Sequence, residues 1–166
     1  MDSKPKEEDR KLFNRLAVAR RDFEIVLRCA HIIRKEGWHH SQYDRMKRPV
    51  AYFHQTVYMT SLVVTYARPF TKSEGWPDFP GRMLRIYDAE ERQLHATLLS
   101  WRDEIYAHSD SKHLDVWMVA SANIKLEGVI GPDLRFMPEQ LTKFVAMVEK
   151  LDKTLLHRTD ELHDEV

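Results

Sequence analysis

The sequence predicts an all-α fold: a four-to-five-helix up-and-down bundle formed as one domain over residues 1–166. Three observations point there. Apolar residues recur in steps of three and four through long stretches, which is the spacing of one helix face. Proline and glycine stand mostly between those stretches, where they act as breaks. At 166 residues and 43 % apolar content, the chain has about one domain's length and enough apolar surface for a core.

The first helix is predicted from Glu7 to Glu36. Leu12, Leu16, Ala19, Phe23, Val26, Ala30 and Ile33 form its seam, and Gly37 supplies the stop. Pro49 is placed to open a second helix, roughly Val50 to Arg68. That helix is apolar on most sides, which marks a central, buried element. Residues 69–81 hold three prolines, two glycines, Phe70, Trp76 and Phe79, and read as a loop packed on its own aromatics. A short helical piece over Arg82–Tyr87 follows. Asp88 and Glu91 match a capping box that starts a third helix, with Leu94, Leu98, Trp101 and Ile105 as its stripe and His108 near its end. Gly128 and Gly131-Pro132-Asp133 mark turns in a loop-rich or β-hairpin insertion around 110–137. Pro138 and Glu139 open a last helix carrying Leu141, Phe144, Val148, Leu151, Leu155 and Leu162. Strongly seamed terminal helices can also pack across a two-fold axis.

Charge and cysteine content narrow the function classes. Lys+Arg and Asp+Glu both number 26, so no global field draws in nucleic acid or an anionic membrane. The balance is uneven along the chain. Residues 1–85 carry 17 basic and 10 acidic side chains, and residues 86–166 carry 9 and 16. Any polyanion site is therefore local, on the basic excess that includes Arg45, Lys47 and Arg48. Cys29 is the single cysteine, which excludes a disulfide framework and multi-cysteine zinc sites; its apolar neighbours mark it as a buried thiol. Val57–Ala67 is too short to span a bilayer and Met1–Arg10 has no apolar signal core, so a cytoplasmic protein without membrane association is expected.

Common catalytic signatures are missing: no glycine-rich phosphate loop, no Gly-x-Ser-x-Gly, no His-Glu-x-x-His. The one Glu-x-x-His, Glu36 to His39, straddles a helix end, and the nine histidines are scattered, so neither a metal nor another cofactor is expected. The pair His39-His40 reads as a surface loop.

One segment stands apart: Trp101-Arg102-Asp103-Glu104-Ile105-Tyr106-Ala107-His108-Ser109-Asp110. It resembles the Arg-x(4–6)-His signature of the HEPN superfamily. Five residues separate Arg102 from His108, the polar Asp103 follows the arginine, and Ala107-His108-Ser109-Asp110 matches the family's ending. Tyr66-Ala67-Arg68-Pro69-Phe70-Thr71 also resembles a segment of the abortive-infection branch. The resemblance implies a helical homodimer that cleaves RNA without a metal, as a toxin or phage-defence effector with a possible antitoxin protein. The ribose 2′-hydroxyl would be the nucleophile and a cyclic phosphate the product. It implies Arg102 and His108 as catalytic residues supported by Asp103, with Arg68, Tyr106, Ser109 and Asp110 as substrate contacts. Some family members carry a tyrosine two residues after the histidine, a target of nucleotide transfer. Here that position is Asp110, so such regulation is not implied.

The residue chemistry suits that role. Arginine offers a planar fork for phosphate, and histidine titrates near neutrality. Six steps along an α-helix turn about 600° and rise about 9 Å, so the two side chains would point about 120° apart. Two copies facing across an interface would be needed to join them on one phosphate. Two other readings stay open. The first is a non-catalytic HEPN-like bundle that binds a nucleotide or a protein partner. The second is a structural helical protein, in which Arg102, Asp103 and Glu104 are exposed helix charges and His108 answers the helix dipole.

Overall fold

The computed structural model describes residues 7–39, 47–107, 115–121, 124–130, 136 and 138–164, with the backbone alone for 105–107, 164 and both strands. Four α-helices make up most of it: α1 (Glu7–Lys35), α2 (Pro49–Ala67), α3 (Ala89–Trp101) and α4 (Pro138–Asp164). Short 3-10 turns cover Arg68–Phe70 and Gly81–Ile86, and a π-helical turn, Arg102–Ala107, continues α3. Strands β1 (Asp115–Ser121) and β2 (Ile124–Ile130) pair antiparallel, with Asp115 opposite Ile130 and Ser121 opposite Ile124. This hairpin lies within the 110–137 window.

Neighbouring helices run antiparallel. Cys29 meets Ser61 while Phe23 meets Tyr66, which sets α1 against α2. Phe13 meets His163 and Arg20 meets Asp152, which sets α1 against α4. Lys150 reaches Glu91 while Trp101 meets Phe136 just before α4, which sets α3 against α4. The architecture is therefore an up-and-down helical bundle. Its core is built chiefly from α1 and α4. Leu16, Ala19, Phe23, Val26, Ala30 and Ile33 are buried on one side; Leu141, Phe144, Met147, Val148, Leu151, Leu155 and Leu162 on the other.

Local chemistry sets the helix ends. Gly37 takes φ 69°, the left-handed region glycine tolerates. The Trp38 amide then donates to Ile33 O (3.0 Å) and the Gly37 amide to Arg34 O (3.1 Å), a Schellman turn that closes α1. The capping box at α3 is complete: the Glu91 amide donates to Asp88 Oδ1 and the Asp88 amide to Glu91 Oε2, both at 2.8 Å.

Three expectations change. The second helix is not buried all round: Val50, Phe53 and Val57 are 66, 62 and 44 % exposed. Its apolar residues outnumber the neighbours available to cover them, because α1 and α3 take only its inner side. Trp76, expected to pack in its loop, is 40 % exposed. His39, expected on a surface loop, is buried, and its Nδ1 lies 3.4 Å from Ile33 O, because the Schellman turn folds the chain back over the end of α1. His40 and Arg45 lie outside the described residues.

Candidate functional site

The capping box starts α3, and Leu94, Leu98 and Trp101 carry its packed side. α3 stops at Trp101, where the winding widens. The Arg102 amide is shared between Leu98 O and Leu99 O, and the six residues Arg102–Ala107 form the π turn. Turns of this kind recur at functional sites because they re-aim side chains. The 120° angle expected between Arg102 and His108 assumed an unbroken α-helix and does not apply here. Wider winding turns the chain less per residue.

Arg102 retains 31 % of its side-chain exposure, and its Nη1 donates to Asp103 Oδ1; Asp103 itself is 57 % exposed. The structure thus joins two of the three expected catalytic groups in an accessible ion pair. Ser100 Oγ donates to Glu104 Oε1 beside them. His108, Ser109 and Asp110 lie outside the described residues, as does the side chain of Tyr106, whose backbone belongs to the π turn.

Arg68 stands elsewhere. Tyr66 Oη lies 2.8 Å from His95 Nδ1, which puts the end of α2 level with the first half of α3. Arg68 and Arg102 are therefore on the order of 10 Å apart or more along the bundle. The Arg68 guanidinium is held by Asp22 of α1 (Nη1–Oδ1 3.1 Å), whose carboxylate is 6 % exposed against 58 % for Arg68. Burial raises the Asp22 pKa above the ordinary value, while Arg68, Arg21 and Arg15 pull it down.

Sequence reasoning missed two buried polar groups. Arg15, about two helical turns before Asp22, donates from Nη2 to Pro69 O (2.6 Å) and Thr71 O (3.0 Å), and from Nη1 to Ser73 Oγ (3.4 Å). It clasps the chain that leaves α2. Its signal was present: Arg15, Ala19, Asp22 and Val26 step by four, three and four, so two charges sit in a buried helix row. The second group is Tyr66, Tyr87 and His95, ringed by Phe70 and Phe144. Burial pushes both tyrosines up and His95 down. Tyr66 and Tyr87 are buried among these rings, while His95 is half-buried.

A cleft of about 450 Å³ opens at the start of α2, lined by Glu36, Trp38, Arg48, Pro49, Val50, Ala51 and His54. Among the described residues no group of three or more His, Cys, Asp or Glu is placed to hold a metal ion. No helix among them is long and apolar enough to cross a membrane. The chain matches no family model, no curated protein and no solved structure.

Proposed function

We propose that this chain is a HEPN-like endoribonuclease, a toxin or phage-defence effector of the cytoplasm that cuts RNA without a metal in a cleft between two copies. The observation that carries the reading is the Arg102–Asp103 pair, accessible on a π turn whose last residue opens the string Ala107-His108-Ser109-Asp110. The family resemblance of that string supplies the reaction.

In this reading Arg102 holds the scissile phosphate by its fork and offsets the charge that builds up on it. Asp103 fixes the guanidinium. One His108 takes the proton of the ribose 2′-hydroxyl as its oxygen attacks phosphorus. The bond from phosphorus to the 5′-oxygen breaks, and the partner's His108 protonates that oxygen. The products are a 2′,3′-cyclic phosphate and a free 5′-hydroxyl. Tyr106, Ser109, Asp110 and Arg68 are proposed substrate contacts, and an antitoxin protein a further partner.

The test is purified protein with single-stranded RNA in excess EDTA, wild type against Arg102→Ala and His108→Ala. Cleavage with cyclic-phosphate ends, reduced at least about 100-fold by either substitution, is expected. Cleavage that survives both in folded protein would sink the assignment. The non-catalytic alternative, a bundle that binds a nucleotide or a protein, draws on the cleft at Trp38 and His54. It predicts nucleotide binding lost in His54→Ala with no cleavage by wild type.

A further inference from the structure

The least explained surface is the outer side of α2. Among the described residues Val50, Phe53 and Val57 are the most exposed group of large apolar side chains, and Val64 continues their line about two turns on. At 100° per residue these four fall within about 60° of one another, in steps that suit a helix–helix seam. The three exposed side chains present on the order of 300 Å², as large as the biggest apolar patch on an ordinary monomer. That is enough for the centre of an interface of about 800 Å² per partner.

We infer that this stripe is the contact between two copies of the chain, with their α2 helices antiparallel about a two-fold axis at Val57. The pattern is its own complement. Val57 is the midpoint between Val50 and Val64, so the axis sets each Val50 on the partner's Val64 and Val57 on itself. A parallel pair, with its axis along the helices, would put the two π turns on opposite sides, whereas the antiparallel pair keeps them together. Charge does not decide between them, since Arg68 ends α2 as Lys47 and Arg48 precede it, and Glu90 and Glu91 are paired with Lys143 and Lys150.

The arrangement also decides where the Arg102 segments go. One flank of the stripe, His54, Tyr58 and Ser61, meets Trp38 and Cys29 on the α1 side. The remaining neighbours of α2, namely α3 and its π turn, lie beyond the other flank, where Phe53 sits. A two-fold perpendicular to an antiparallel helix pair keeps like flanks on the same side. Both π turns then border one shared groove. For that functional meaning the inference rests on the two-copy cleft proposed above, but its test measures mass and crosslinks without RNA, so each can fail alone.

The test is sedimentation of the full chain, with two cysteine variants. Wild type is expected at twice the 19.7 kDa chain mass, and Phe53→Glu at the single mass with unchanged circular dichroism. Cys29 is buried and does not compete in crosslinking. Under oxidation Val57→Cys should form a covalent dimer. Val50→Cys should not, because seven residues from the axis place its two copies about 21 Å apart along the helices. A monomeric wild type would overturn the inference. So would a dimer that survives Phe53→Glu, or one broken instead by Leu156→Glu on α4. Crosslinking through Val50→Cys as readily as through Val57→Cys would overturn the antiparallel arrangement.

Discussion

Arg68 and Asp22 are unequal partners, and the inequality predicts how each responds to removal. The carboxylate is buried and the guanidinium mostly in solvent. Arg68→Ala strips the counter-charge from a buried anion, whereas Asp22→Asn removes the need for one. Arg68→Ala is expected to cost about 1–2 kcal/mol, discounted from a fully buried pair because its own end is wet. Asp22→Asn should cost less. Urea unfolding of the two variants checks the order, and the reverse order would show that the pair contributes no charge compensation. His95 supplies a pH response. Burial lowers its pKa below 6.5, and its Nδ1 lies 2.8 Å from the Tyr66 hydroxyl. The folded state therefore binds fewer protons at this site than the unfolded one. Its contribution is complete above about pH 6.5 and is lost as pH falls through that value toward the lower folded pKa. Tyr66 and Tyr87 stay protonated throughout, and the nearby charge is Glu91. Melting curves across this range should slope less in His95→Gln than in wild type.

Single elements show what was legible in the letters and what was not. The capping box of α3 was readable because its four bonding atoms lie within four residues of chain. The seams of α1 and α4 were readable because each helix has one apolar side, and one side leaves one way to turn. α2 gave no such answer. A helix apolar on most sides says how much it would bury, not which side finds a neighbour. The π turn was out of reach for a related reason, since a change of winding depends on what packs against it. The Arg15 clasp joins residues more than fifty positions apart and was visible only as a charge in the wrong row. Its role is testable on the loop it holds. Arg15→Met should speed tryptic cleavage after the exposed Lys72, while cleavage elsewhere in the bundle keeps its rate. An unchanged rate at Lys72 would mean the loop is held by Phe70 and Phe79 alone.

At the scale of the whole molecule, the helical architecture was the most readable feature and the site the least. Arg102 and Asp103 are together because they are adjacent in sequence, whereas a cleft between copies is written in no single chain. One consequence of the arrangement belongs to synthesis. α1 is covered by α4, and Arg20 waits 132 residues for Asp152. At translation speeds of about 5–20 residues per second, the apolar seam of α1 stays open for on the order of ten seconds in every round. During that interval α2 and the turn Arg68–Phe70 are its main neighbours. The nascent chain should therefore engage chaperones until α4 emerges, and slowing the ribosome upstream of Pro138 should lower the yield of folded protein.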